Sequence, residues 1–264
     1  MAITGTYLDA LGLSTHDPTL SFLAEITRRH VATFPFSSVG PRLGDALPLD
    51  PERLLDRIVV RGRGGYCFEQ NGLLFEVLEE LGFDASIQLA RVIHNQDIHP
   101  GLTHRVALVE VDGRQYVVDV GFGPLGPPFP VPMPGSAGPG DDARFRVHEA
   151  RPGEFHMQSI VNGDHYSLYR FDLVRYGQSD CELGHFYSHR HPDAVFVNNL
   201  VASLILDDEV RSLVNREYRV LRGDAHTASR ITSAPQLSDL LSTEFGIQVS
   251  DAEAKRLFDE LPSG

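Results

Sequence analysis

An α+β architecture is predicted by three changes of pattern along the 264 residues. Up to about residue 83, apolar side chains recur at three- and four-residue steps, the period of a helix with one buried face. From Ala85 the chain alternates or becomes rich in β-branched residues, the pattern of strands in an antiparallel sheet or small barrel. Beyond Asn198 the two patterns mix, which predicts an α/β C-terminal unit.

The elements follow in order. Leu20 to Val31 carries helical spacing, and Pro51, well placed in a first turn, opens a second helix that runs to Val59 after Asp50. A third helix is marked by Phe68, Leu74, Phe75, Val77, Leu78 and Leu81, with Gly82 as its stop. Strands are expected at 85–93, 155–161 and 165–172, together with a hairpin over 104–121. The hairpin turns at Asp112-Gly113, a pair suited to the two positive-φ positions of a tight turn. Residues 124–142 hold seven prolines and four glycines, which excludes a helix or a central strand and leaves a loop. That loop follows the hairpin directly, so it either walls a site or is a tolerated surface insertion. Helix-like runs at Asn198 to Val214 and from Ala234 to the C-terminus flank the more strand-like Glu217 to Leu221, and no internal repeat is found.

A chain of this length can bury a sizeable core, and 42% apolar residues support a globular protein. The net charge of −13, with no clustered basic excess, argues against general nucleic-acid binding. Met1-Ala2-Ile3-Thr4-Gly5 is not a basic start followed by an apolar core, and no run is long enough to span a bilayer, so no membrane association and a cytoplasmic location are expected. Two cysteines, Cys67 and Cys181, make no disulfide framework.

The chemistry starts at Cys67. The run Arg61-Gly62-Arg63-Gly64-Gly65-Tyr66-Cys67 is a glycine-rich bend that delivers a thiol to the first turn of a helix. Unpaired N–H groups and the positive end of the helix dipole favour a thiolate there, although the placement alone also suits a small buried core cysteine. The hairpin supplies partners. If Val111 pairs with Arg114, then Val106 faces Asp119 and His104 faces Gly121, so His104 and Asp119 are diagonal neighbours on one face, roughly 7–8 Å apart at the backbone. A cysteine at a helix start, an imidazole, and a carboxylate able to hold its tautomer form the set of nucleophile, base and orienter.

At Arg63-Gly64-Gly65-Tyr66-Cys67-Phe68-Glu69, Thr103-His104 and Val118-Asp119-Val120-Gly121-Phe122-Gly123 the sequence resembles the arylamine N-acetyltransferases. Weaker echoes are Pro35-Phe36, Tyr169-Arg170-Phe171, Tyr187-Ser188, His191-Pro192 and Phe196. The resemblance implies a helical bundle over 1–83 carrying the nucleophile, an antiparallel β-barrel over 84–192 carrying the histidine and aspartate, and an α/β lid over 193–264, around a cysteine-protease-like core. It implies Cys67 as acyl-accepting nucleophile, His104 as base and acid, and Asp119 as orienter. It further implies backbone oxyanion donors at Cys67 and Thr103, an amine pocket shaped by Phe36 and Phe122, and a coenzyme A site at Gly123, Ser188 and Arg190. The co-substrate would be acetyl-CoA, with no metal, and the acceptor an arylamine or hydrazine, whose nitrogen is largely unprotonated at neutral pH.

The chain departs from the pattern in places. Pro35-Phe36-Ser37-Ser38 stands where the family usually has Pro-Phe-Glu-Asn, so the glutamate that commonly pairs with the arginine matching Arg63 is absent. An apolar residue often follows the catalytic histidine; here Arg105 does, on the opposite strand face in the hairpin register. The usual hydroxyl-rich stretch after the tyrosine reads Ser188-His189-Arg190, where Arg190 meets either a coenzyme A phosphate or solvent. His185, His189 and His191 lack a further ligand type for a metal, His94 and His99 read as loop residues, and Cys181 reads as a bystander thiol. Two other reactions use the same triad: amide synthesis from a larger biosynthetic acyl thioester, and amide hydrolysis.

Overall fold

The computed structural model describes residues 3–135, 144–161 and 163–262. Its elements, in order, begin with α1 (Ile3–Leu11), α2 (Leu20–Thr33), β1 (Phe36–Ser37), α3 (Val39–Leu43), α4 (Pro51–Leu55), which continues as a π-helical turn to Val60, and α5 (Cys67–Glu80). The central part holds β2 (Asp84–Val92), β3 (His104–Val111), β4 (Arg114–Val118), β5 (Val131–Pro132), β6 (Phe145–Arg151), β7 (Glu154–Val161) and β8 (Asp164–Phe171). There follow α6 (Gln178–Arg190), α7 (Val195–Asn198), β9 (Val201–Ile205), β10 (Val210–Val214), β11 (Glu217–Arg222), β12 (Ala225–Arg230), α8 (Ala234–Phe245) and α9 (Asp251–Asp259).

Seven antiparallel strands in the order β5-β4-β3-β2-β8-β7-β6 curl into a nearly closed barrel, with the edge strands β5 and β6 approaching each other. Asp112 and Gly113 both adopt positive φ at the β3–β4 turn, and the ladder runs from Val111↔Arg114 to Ala107↔Val118. This is the register expected from Asp112-Gly113; β4 then leaves the sheet, so Asp119 lies just past its end. Period-two alternation makes β3 a two-sided strand. Val106 and Leu108 point into the barrel core with Val117 and Leu168, whereas Ala107 and Val109 pack with Leu73, Leu74 and Val77 of α5. The strand that begins with His104 is thereby sealed against the helix that begins with Cys67.

The helix-like reading of 198–214 is corrected: β9 and β10 lie there, in a second sheet ordered β1-β9-β10-β11-β12. Short apolar runs do not distinguish helix from strand, and β9 acquires its partner from Phe36–Ser37, far back in the sequence. The helices at 234–245 and 251–259 cover this sheet, burying Leu237, Leu241 and Leu257 against Ala202 and Leu213. The proline-rich segment contributes an edge strand, β5, beside Tyr116 and Val117; its residues 136–142 lie outside the described ones. Among the described residues no helix is long and apolar enough to cross a membrane.

Candidate active site

Cys67 is delivered to the start of α5 by a turn that needs glycine. Gly64 has φ +63, and a Cβ on it would sit 2.4 Å from the Pro35 carbonyl oxygen, inside contact distance. Glu69 then accepts the Tyr66 N–H at 3.2 Å, which satisfies one free donor at the helix start. Arg57 compensates that buried carboxylate at 2.8 Å, and burial raises the Glu69 carboxyl against the opposing pull of Arg57. The Tyr66 hydroxyl donates to His185 Nδ1 at 2.5 Å while His185 Nε2 donates to the Leu47 carbonyl at 2.6 Å, tying α6 to the cysteine turn.

Cys67, His104 and Asp119 are brought together and buried. His104 Nε2 donates to Asp119 Oδ2 at 2.7 Å, which leaves Nδ1 for the thiol; Cys67 acts on the ring by hydrogen bonding and charge. Burial disfavours the imidazolium, but the Asp119 charge and hydrogen bond, with Cys67, outweigh it and push His104 up to about 10. Asp119 is held below its ordinary value: burial works against ionisation, and His104, Asn71 and the Gly121 N–H overcome it. The Cys67 thiol also lies 3.5 Å from the Thr103 carbonyl, to which it donates.

Asn71 is the residue that the sequence reading did not single out as functional. Its Nδ2 donates to Asp119 Oδ1 at 2.9 Å and to the Arg105 carbonyl at 2.6 Å, and its Oδ1 accepts the Val120 N–H at 2.9 Å. One side chain thus fixes Asp119 and the backbone of the residues that follow His104 and Asp119. Its position four residues after Cys67, on the same helix face, was the available signal. Arg105 points away from His104, as the register required, with its guanidinium buried 5.2 Å over the Phe75 ring.

Cys67 and His104 open onto a cleft of ≈450 Å³ lined also by Thr103, Phe36, Phe122 and Phe196, with Tyr187 and Ser188 from α6. Phe122 meets the His104 ring edge-on at 5.3 Å and Tyr169 packs on it at 4.8 Å, and the two aromatic rings lie 5.3 Å from each other, so the imidazole is one corner of a three-ring cluster. Among the described residues the cleft lining contains no lysine or arginine. Gly123, at φ +84, stands outside the lining and against the Phe36 ring and Ser203. Arg190 is exposed and donates to the carbonyls of Gly44 and Asp45 at 3.1 and 3.0 Å. The Thr103 N–H donates to the Gly101 carbonyl at 3.0 Å. A larger concavity of ≈1050 Å³ beside Arg28 and Asp207 contains none of the triad. Among the described residues no group of three or more His, Cys, Asp or Glu side chains is placed to hold a metal.

An N-acetyltransferase family model matches residues 19–254. The arylamine N-acetyltransferase of Mycolicibacterium smegmatis is 36% identical over 94% of this chain and 92% of its own length. The Escherichia coli arylamine N-acetyltransferase is 31% identical over 88% of this chain and 84% of its own. The structure of the Mycobacterium marinum arylamine N-acetyltransferase in complex with CoA aligns with a TM-score of 0.90 at 29% identity, covering 98% of this chain and 99% of that one.

Proposed function

The chain belongs to the arylamine N-acetyltransferase family, and from that premise we propose that it carries an acetyl group from acetyl-CoA to the nitrogen of an arylamine or hydrazine through an acyl-Cys67 intermediate. The observation that supports this most is the single constellation of Cys67 beside a His104 imidazole bonded at 2.7 Å to Asp119, at the wall of one cleft.

At neutral pH an imidazolium held to about 10 is charged, with Asp119 as its carboxylate partner, and the form of Cys67 that attacks is the thiolate. The thiolate attacks the thioester carbonyl; the new S–C bond pushes the carbonyl electrons onto oxygen. The Cys67 N–H, at the amino end of α5, is a donor for that oxyanion. The Thr103 N–H joins it only if its turn to Gly101 opens. Collapse expels coenzyme A as a thiol that takes its proton from His104. The neutral imidazole then accepts a proton from the attacking amine, the second tetrahedral intermediate collapses, and the Cys67 thiolate leaves with the imidazolium restored. Asp119, fixed by Asn71 and the Gly121 N–H, keeps Nε2 protonated so that Nδ1 faces the reacting atoms throughout. Phe36 and Phe122 would flank an aromatic amine, and Ser188 would meet the thioester arm.

A ping-pong order follows, because one sulfur must give up the first product before the second substrate reacts. Initial rates with acetyl-CoA varied at several fixed arylamine concentrations should give parallel double-reciprocal lines; lines meeting at a point would require a ternary complex and contradict the proposal. A second reading, amide synthesis from a larger acyl thioester, uses the same residues, and among the described residues the cleft lining offers no lysine or arginine to a polyanionic donor.

A further inference from the structure

Arg63 lies four residues before Cys67, and the sequence provides no acid at position 37 to meet it. Ser37 is buried there, and its Cβ would lie 2.8 Å from a Cβ on Gly64, so the side chain at 37 abuts the cysteine turn but carries no charge. The nearest carboxylate comes instead from the far end of the chain, with Asp45 Oδ2 farther off, at 3.8 Å from Arg63 Nη2. Glu253, in the first turn of α9, receives the Arg63 guanidinium in a two-pronged bond, Nη2 to Oε1 at 2.8 Å and Nη1 to Oε2 at 3.1 Å. The fork geometry of such a pair fixes direction as well as distance.

The contact is one of three that join the same two segments. Arg63 Nη1 also donates to the Gln248 carbonyl at 2.7 Å, and the Gln248 N–H donates to the Gly62 carbonyl at 3.1 Å. At Gly62, φ +57 and only 3.2 Å from a would-be Cβ to the Gly246 carbonyl oxygen, the two backbones lie too close for an ordinary side chain to fit without a shift. Arg63 is mostly buried, and Arg63 together with the Ser250 N–H and hydroxyl holds the Glu253 carboxyl down to about 2, against the effect of burial. The Glu253 carboxylate therefore stays ionised at neutral pH.

We propose that Glu253 is a positioning residue for acyl transfer: through Arg63 it holds the glycine turn that sets Cys67 against His104. The proposal rests on the acyl-transfer reading for its kinetic readout only. Hydrogen bonds on the other side of the turn, from the Gly65 N–H to the Pro35 carbonyl and from the Ser37 N–H to the Gly65 carbonyl, anchor it to β1, so the turn is held between the two ends of the chain. Loosening one anchor displaces the thiol with respect to the imidazole, and small misplacements of reacting groups lower rates steeply.

The test is a double-mutant cycle of Glu253→Gln, Arg63→Gln and the pair, read by two rates well below the unfolding transitions. One is kcat for acetyl transfer; the other is iodoacetamide alkylation of Cys67, which needs no acyl donor. Each single change should slow both rates by about tenfold with the amine KM unchanged, and the double variant should fall no further, as for one shared contact. Arg256→Ala removes another bond of α9, from its Nη1 to the Leu43 carbonyl at 3.1 Å, and should lower thermal stability without slowing either rate. If Glu253→Gln lowers only thermal stability, as Arg256→Ala does, or if the two single effects add, Glu253 has no positioning role. A wild-type protein that transfers no acetyl group would remove the proposed function and leave the alkylation cycle to judge Glu253 alone.

Discussion

Gly121→Ala is expected to cost most of the activity at a modest cost in stability, because of where the new methyl group would stand. A Cβ on Gly121 would lie 2.6 Å from the Cys67 Cα, 2.7 Å from Asn71 Nδ2 and 3.2 Å from the Cys67 Cβ. Carbon atoms pack at about 3.5–4.0 Å, so the turn after Asp119 and the start of α5 must part by about 1 Å. Neither side yields cheaply: one neighbour is backbone, and the other is the amide that holds Asp119 at 2.9 Å. A misplacement of about 1 Å between reacting groups is worth about 10²-fold in rate, or about 2.7 kcal/mol of barrier. The overpacking itself should remove about 1–3 kcal/mol of stability. Steady-state kcat, measured beside circular dichroism and a thermal melt, checks both figures. A folded Gly121→Ala protein with kcat within threefold of wild type would refute the close approach of the Asp119 turn to Cys67.

Asp119→Asn should keep the fold and lose about 10⁴-fold in kcat, because an amide whose oxygen faces Asn71 and the Gly121 N–H turns its NH2 to His104 and imposes the wrong tautomer; near-wild-type turnover would remove Asp119 from the triad. His104 titrates far above its ordinary value of 6.5, at about 10. Its pairing with Asp119 therefore adds stability that is complete below pH 6.5 and is lost as pH rises toward 10. The melting-temperature gap between wild type and His104→Gln should accordingly narrow over that window, and a gap that widens with pH has the wrong sign. For Arg190→Ala, acetyl-CoA is compared with a truncated acetyl thioester lacking the nucleotide. A phosphate contact would weaken the full-length donor alone, by about 1.5–3 kcal/mol. The bonds of Arg190 to the Gly44 and Asp45 carbonyls lead us to expect equal behaviour with both donors.

Much of the site could be read from local patterns whose physics is also local. The Asp112-Gly113 pair encodes its own turn, and a two-residue period then carries the register as far as Ala107↔Val118. The spacing of Phe68, Leu74, Phe75 and Leu78 likewise located α5 and hence the environment of Cys67. What escaped the sequence depends on contacts made elsewhere. Helix α6 buries Cys181, His185, Ser188 and His189 rather than an apolar stripe, because Tyr66 and the Leu47 carbonyl meet it with polar groups; no hydrophobic period announces it. Strand β12 is exposed along its whole length and shows no alternation, and β9 finds its β1 partner only after the chain has folded back. The missing acid at position 37 was visible, but its replacement by Glu253 lies 190 residues along the chain from Arg63.

The proposed acyl-Cys67 intermediate can be observed directly. Intact-protein mass spectrometry after brief exposure to acetyl-CoA without an amine, followed by peptide mapping, tests it most directly. One acetyl group should appear on Cys67, be absent from Cys181, which is buried and whose thiol burial pushes up, and vanish when an arylamine is added. An acetyl group that never forms on Cys67 while the amine is still acetylated, or one that forms and is not discharged by the amine, would contradict the account.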